Sequence, residues 1–324
     1  MTQATPERPR GVVVEQRDDV VATVRRLVVP PAGPGELELA VDFSSLNYKD
    51  ALAVAGLPGI LRALPMVAGI DAVGRTADGA MLVVTGGGLG ERRDGGLAER
   101  VVVERSTAVP VPAAFSPAQA AAIGTAGVTA ALSVLTLRRI GAPEGPVLVT
   151  GAGGGVGGFA VALLSALGTE VVASTGRVES LGSHLRALGA AEVVDRLDEV
   201  PGRPLQRHRW SAVVDTLGGG PLVNALAQTA AGGVVTACGL VAGPDLPGSV
   251  LPFILRGVTL AGIDSVGISP EDRRAVWDLL AAQLPAAVVD RMTERVIGLD
   301  EVPAAAEEVL RGAVRGRIVV DVRR

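Results

Sequence analysis

The chain has 324 residues, 48% of them hydrophobic, with 30 basic and 34 acidic side chains and a formal net charge of −4. That length fits two domains rather than one small core. The slight acid excess argues against a broad basic nucleic-acid surface, while leaving room for an anionic ligand on a few local arginines.

The start, Met1 to Arg10, is polar and contains prolines. It lacks the apolar run of a signal peptide, so a soluble cytoplasmic protein is expected. From Gly11 to about Pro112, short β runs alternate with glycine and proline turns. Val12–Val14, Val20–Val24, Glu36–Val41 and Val101–Val103 are the clearest. The alternation in Glu36–Val41 reads as a half-solvated strand. This region reads as a β-rich domain. Ser116-Pro117-Ala118-Gln119 marks a helix start, with serine as N-cap and proline at the first position. The window Ala118–Leu137 is the most membrane-like, yet its glycines, threonines and small residues suit a buried helix better, and no membrane contact is expected.

A β–α rhythm follows. Strands are expected at Val147–Thr150, Val171–Ser174, Glu192–Val194, Ala212–Asp215, Val234–Ala237 and Thr259–Ile263. The helical stretches between most of them imply a parallel sheet covered on both faces. After Ile263 come helices at Pro270–Leu284 and Val302–Leu310, and strands at Arg295–Ile297 and Arg317–Val322. The last strand is placed to return to the first domain.

The glycine string Gly151-Ala152-Gly153-Gly154-Gly155-Val156-Gly157-Gly158 carries the strongest functional signal. Among 43 glycines it is weak alone. Between a strand and an apolar helix it reads as a dinucleotide-binding turn, in which the backbone approaches a pyrophosphate at a helix N-terminus. Gly157 supplies the small residue needed where helix meets strand. The next strand ends in Ser174-Thr175-Gly176-Arg177, with no acid before Glu179. NAD sites usually place an acid there for the ribose 2′-hydroxyl. Hydroxyls and a guanidinium suit a 2′-phosphate, which favours NADPH. The alternative is that Arg177 only caps a solvated loop.

Cys238 is the only cysteine, and the histidines are His184 and His208 alone. They exclude an internal disulfide and a cysteine-rich zinc site, so no metal is expected. Tyr48 and Lys49 are the only tyrosine and the only lysine.

From about Gly11 to its end the chain resembles the medium-chain dehydrogenase/reductase superfamily, in its zinc-free quinone-oxidoreductase branch and most closely the acrylyl-CoA reductase subgroup. The match is carried by Leu46-Asn47-Tyr48-Lys49-Asp50-Ala51-Leu52, Ala68-Gly69-Ile70-Asp71, Gly124-Thr125-Ala126-Gly127, the glycine string and Thr175-Gly176-Arg177. Pro252-Phe253-Ile254-Leu255-Arg256-Gly257-Val258 and Gly262-Ile263-Asp264-Ser265-Val266 are its most subgroup-specific stretches. The zinc-dependent relatives carry Gly-His-Glu at Gly69-Ile70-Asp71 and a catalytic cysteine that is missing here.

The resemblance implies an α/β protein with a GroES-like β-rich catalytic domain at 1–124 and 264–324. A Rossmann doubly wound parallel-sheet domain is implied at 125–263. It implies NADPH-dependent hydride transfer to the β-carbon of an activated alkene, an enoyl-CoA such as acrylyl-CoA or an enone. The alternatives are a broad-specificity quinone oxidoreductase and a non-catalytic NADPH-binding protein.

By resemblance Tyr48 lies beside the nicotinamide, with Asn47 and Asp50 framing the pocket floor. Gly154, Gly155, Val156 and Gly157 contact the pyrophosphate. Ser174, Thr175, Gly176 and Arg177 hold the 2′-phosphate side. Thr129, Leu240, Ile254 and Ser265 complete the cofactor site. Proton donation or a carbonyl hydrogen bond falls to Tyr48, or Tyr48 only packs while water donates. Lys49 reads as a solvated neighbour, and Asp50 as an acceptor of backbone hydrogen bonds. The chain departs from the subgroup at Gly90–Gly96, at Val128 and at Ala68, where an aromatic-bearing loop, an aromatic and a proline are usual. Lost bulk at Asp94 and Val128 opens or polarises the pocket, which touches the choice of substrate. Arg92 and Arg93 either bind a CoA phosphate or another anion, or are solvated. A homodimer joined through an edge strand at Thr259–Ile263 is expected.

Overall fold

The computed structural model describes residues 8–324; most of the polar start lies outside them. In chain order the elements are β1 (Arg10–Gln16), β2 (Val20–Arg26), β3 (Glu36–Leu46), α1 (Tyr48–Val54), β4 (Met66–Val67), β5 (Asp71–Arg75), β6 (Met81–Thr85), β7 (Arg100–Glu104) and β8 (Ala108–Pro110). Then come α2 (Pro117–Ile140), β9 (Val147–Val149), α3 (Gly155–Ala166), β10 (Val171–Ser174), α4 (Val178–Ala187), β11 (Glu192–Val194), β12 (Trp210–Asp215), α5 (Gly219–Gln228) and β13 (Thr229–Ala237). The chain finishes with α6 (Leu251–Arg256), β14 (Thr259–Gly262), α7 (Pro270–Gln283), α8 (Ala286–Met292), β15 (Thr293–Ile297), α9 (Val302–Leu310) and β16 (Arg317–Asp321).

Two compact units result. The first holds Met1–Thr125, Val266–Arg274 and Thr293–Arg324; the second holds Ala126–Ser265 and Ala275–Met292. The sequence reading left all of 264–324 in the first. Residues 275–292 join the second because α8 packs on α3, where Met292 lies against Gly158 so closely that a Cβ there would meet its Cε at 2.5 Å.

The first unit is β-rich. β3 is its spine: β16, β5 and β7 all pair with it antiparallel. The larger sheet runs β15-β16-β3-β5-β6-β8, and β2-β1-β4 form a smaller one. Leu37, Leu39 and Val41 are buried while Glu36 and Glu38 between them are not, as period-two alternation requires. Leu39, Val14, Leu97, Leu299 and Val320 are among its fully buried side chains. Each contributes roughly 1.5–3 kcal/mol by leaving water.

The second unit is a parallel sheet ordered β11-β10-β9-β12-β13-β14. Counted by strand, that is the 3-2-1-4-5-6 order of a doubly wound dinucleotide fold. The turn between β9 and α3 sits at its topological switch point. α2 is the one helix among the described residues long and apolar enough to cross a membrane, and 83% of its most apolar window is buried inside the protein. Its Gly124 breaks the helical path at φ +43 and ψ −150.

Candidate active site

In the first unit the chemistry gathers where β3 runs into α1. Tyr48 is the first residue of that helix and is half-buried. Asn47 is its N-cap. The Asn47 backbone N–H donates to Asp50 Oδ2 at 2.8 Å, satisfying a donor that a helix start leaves without a partner. The Asn47 side-chain amide donates to the same Asp50 oxygen at 2.9 Å and to Asp71 Oδ2 at 2.8 Å. Asp50 Oδ1 accepts the Ile70 N–H at 2.9 Å.

Asp71, fully buried, is the second centre. It accepts the Ser45 hydroxyl at 2.6 Å, the Thr125 N–H at 2.9 Å and the Thr125 hydroxyl at 2.6 Å. Gly124 is what allows this approach: a Cβ there would sit 2.4 Å from Asp71 Oδ2. Arg317 supplies the positive charge. Its Nη2 lies 3.8 Å from Asp71 and 2.6 Å from Ser45 Oγ, while Nη1 donates to Asn47 Oδ1 at 3.0 Å. Burial raises Asp50 to about 7, helped by the charge of Asp71 and opposed by the N–H groups of Asn47 and Ile70. Burial also lowers Arg317, which Asp71 and Asp50 partly restore. Sequence reading named Asn47 and Asp50; it missed Asp71 as a member of the cluster and Arg317 altogether.

The rim differs from expectation. Lys49 is not simply solvated, because its Nζ pairs with Glu91 at 2.6 Å. Arg93 is paired with Glu36 at 3.3 Å and Glu104 at 2.9 Å, so its charge is already neutralised. Arg92 is exposed. Asp94 accepts the Val67 N–H at 2.9 Å. Ala68 donates its N–H to the Val12 carbonyl at 2.9 Å, a bond a proline cannot make. Val128 is fully buried, so its smaller side chain is taken up in packing.

In the second unit the ends of β9 and β12 are latched by Thr150 Oγ1 donating to Asp215 at 2.7 Å, and Asp215 accepts the Gly218 N–H at 2.8 Å. The chain then turns at Gly151, φ +58, into α3. A Cβ on Gly157 would lie 2.4 Å from the Gly151 carbonyl, so the helix start needs glycine to pack on the turn. Gly154 is exposed, and Gly155 and Val156 are partly so, at the N-terminus of a twelve-residue helix. First-turn N–H groups have no carbonyl within the helix and are ready for an anion.

Ser174 departs from its expected role. It is buried and its hydroxyl donates to the Asp195 carbonyl at 3.0 Å, tying β10 to β11. Thr175 Oγ1 and Arg177 Nη2 converge instead, lying 3.4 and 3.5 Å from the point a Gly153 Cβ would occupy. Gly176 is exposed between them. Arg196, which the sequence reading missed, brings Nε and Nη2 to 3.7 Å from the corresponding point on Gly176 while pairing with Glu199 at 3.1 Å. The signal was positional: β11 runs parallel beside β10, so residues just past its end lie beside the end of β10. These glycines and guanidiniums fit NADPH. The loop carries the Arg177 guanidinium, has Arg196 beside it and holds no carboxylate between Ser174 and Val178.

Thr129 is buried on α2. Leu240 follows β13, Ile254 lies on α6 and Ser265 follows β14, so Leu240 and Ser265 fall past the carboxyl ends of parallel strands, where such sheets bind ligands. Leu240 and Ile254 are 52% and 68% exposed, large values for apolar side chains. Burial pushes the Cys238 thiol up to about 12, with the nearby Asp215 charge adding to it.

Residues 155–282 match the family described as zinc-binding dehydrogenase. The chain is 40% identical over 320 residues to the acrylyl-CoA reductase AcuI of Ruegeria pomeroyi, covering 95% of this chain and 96% of that protein. The yhdH oxidoreductase of Salmonella enterica, solved in complex with NADP, superposes with a TM-score of 0.92 at 41% identity over 97% of this chain and 99% of that one. The Bacillus subtilis protein yhfP, solved with NAD bound, gives a TM-score of 0.90 at 37% identity, with 97% and 99% covered.

Proposed function

The chain belongs to the medium-chain dehydrogenase/reductase superfamily, in its acrylyl-CoA reductase-like group, and is an NADPH-dependent oxidoreductase; we propose that it reduces the carbon–carbon double bond of a short enoyl-CoA. The observation that carries the cofactor half is the Thr175-Gly176-Arg177 turn with Arg196 beside it. Solved relatives hold either NADP or NAD, so the preference rests on this chain's own cations. Arg177 and Arg196 bind the 2′-phosphate, Thr175 donates its hydroxyl, and the α3 N-terminus receives the pyrophosphate. Leu240, Ile254, Thr129 and Ser265 enclose the remainder.

When bound, NADPH supplies the hydride that reaches the β-carbon. The chain's task is orientation and charge. As the alkene is reduced, negative charge gathers on the thioester oxygen. Tyr48 donates a hydrogen bond to that oxygen, and a proton reaches the α-carbon from Tyr48 or from water. Asn47 and Asp50 act on the position of Tyr48 and do not touch substrate.

The reading includes a zinc-independent site. Ile70 is apolar and buried, Asp71 is saturated by hydrogen bonds, and no group of three ligating side chains occurs among the described residues. It also includes a cytoplasmic homodimer joined through β14, an edge strand of the parallel sheet. A solution mass of twice 32.7 kDa supports the dimer, and the monomer mass overturns it.

The test is anaerobic NADPH consumption with acrylyl-CoA beside a simple quinone. Turnover of the thioester with little quinone activity supports the proposal. Quinone turnover with an inert thioester assigns the chain to the broad-specificity class. Consumption with neither supports a non-catalytic NADPH-binding protein. Tyr48→Phe is expected to lower kcat roughly a hundredfold, the usual cost of one oxyanion donor.

A further inference from the structure

Arg317 is buried and makes four hydrogen bonds at the β3–α1 junction. It opens β16, whose register sets Ile318 opposite Leu46 on β3 and so delivers the guanidinium to the end of that strand. Nη1 donates to the Leu46 carbonyl at 3.3 Å and to Asn47 Oδ1 at 3.0 Å. Nη2 donates to Ser45 Oγ at 2.6 Å, and Nε to the Ala122 carbonyl at 2.8 Å. Leu46 and Asn47 are the two residues immediately before Tyr48. A planar five-donor fork meets four acceptors that a lysine ammonium cannot meet at once.

We propose that Arg317 is a positioning residue for Tyr48, acting through the Leu46 carbonyl and the Asn47 amide, with Asp71 its paired counter-charge and Asp50 a second negative group nearby. The inference deepens the reading of Tyr48 as the group facing the substrate carbonyl. Asp71 holds Arg317 and Asn47 together from β5. Asp50 holds Asn47 from the first turn of α1. On α1, β5 and β16 the buried charged groups are these three; Arg75 is exposed and Asp321 half-buried on the same strands. Lys49 is paired outward with Glu91, and Arg273 sits on Thr85, the register partner of Asp71 on β6. β3 and α2 contribute the hydroxyls of Ser44, Ser45 and Thr125 and backbone groups. With both carboxylates ionised the cluster carries one excess negative charge, so Asp50 is the site where a proton enters.

Because Tyr48 is the only tyrosine, 3-fluorotyrosine labelling gives one ¹⁹F resonance that reports its surroundings without any assay of turnover. In the intact chain that resonance is expected to titrate with a midpoint near 7, the value to which burial raises Asp50. Asp50→Asn is expected to abolish the titration. Arg317→Met is expected to move the midpoint up by roughly one unit, through loss of the neighbouring positive charge. Arg317→Lys, which keeps the charge and loses the fork, is expected to hold the midpoint and split or broaden the line. The same variant is expected to lower kcat about tenfold with KM for NADPH unchanged, the effect of losing about one charged hydrogen bond.

A sharp, unshifted line in Arg317→Lys, or a step near 7 that persists in Asp50→Asn, overturns the proposal. If Arg317→Met fails to fold, the lysine and asparagine variants still decide it. The reading of Tyr48 fails separately, if Tyr48→Phe leaves kcat intact while the fluorine titration behaves as described.

Discussion

The β3–α1 junction and the β9–α3 turn solve the same problem, holding polar groups ready for a ligand, with opposite materials. The turn is backbone: glycines, a helix end, and a few side chains at its edge. The junction is side chain: two carboxylates, one guanidinium, an amide and hydroxyls, buried except for the half-buried Thr125 and all hydrogen-bonded. Backbone donors at a helix start tolerate any phosphate and need only clearance. A buried charge cluster tolerates almost no change, since removing one partner strands another in a low-dielectric interior. The turn should therefore fail in binding, and the junction in stability.

The largest effect is expected at Gly124→Ala. A side chain at φ +43 costs on the order of 1–3 kcal/mol by itself, and its Cβ would overlap Asp71. Urea unfolding should show a loss beyond that range, because the cluster opens as well. Gly157→Ala is the matching change in the turn. Its Cβ meets the Gly151 carbonyl at 2.4 Å, so KM for NADPH should rise at least tenfold. If the two variants fail in the same way, the contrast between the regions is wrong.

Next come the cations of the turn. Arg177→Ala and Arg196→Ala should each raise KM for NADPH about tenfold, as for a lost hydrogen bond to a charged group, and leave KM for NADH nearly unchanged. Equal effects on both dinucleotides would remove the 2′-phosphate assignment.

The junction also predicts a pH dependence. The folded Asp50 is raised from 3.8 to about 7, so between those values the native chain holds a proton that the unfolded chain has released. Stability therefore falls as pH rises through that window and levels off above it. Unfolding of the intact chain at pH 5 and pH 8 should show the drop, and Asp50→Asn should be nearly flat. The smallest effect is reserved for Arg92→Ala, an exposed side chain, which should alter KM for an acyl-CoA less than about twofold.

These regions were not equally legible in the sequence. The turn is local: strand, glycines, helix, and then a strand ending in Thr175-Gly176-Arg177 follow one another, and their spacing alone carries the inference. The parallel order of the sheet and the buried character of α2 were readable for the same reason. At the junction Asn47, Tyr48 and Asp50 were named only through the family resemblance. Their roles depended on Asp71, 24 residues from Asn47, and on Arg317, 270 residues away. Arg93 had the chemistry of an anion ligand until the pairing of β3 with β7 put Glu36 and Glu104 around it. Ser174 had that of a phosphate ligand until β11 gave its hydroxyl another acceptor.

The sequence by itself determined the β–α rhythm of the parallel sheet, the dinucleotide turn and the preference for NADPH, since each shows in residues that follow one another along the chain. Only the tertiary structure decided which charges face one another. Strand register brought Arg317 to Asn47, Asp71 to Thr125 and Arg196 to Gly176. Whether a side chain binds a ligand or is spent on the protein depends on those long-range partners, which no local spacing encodes.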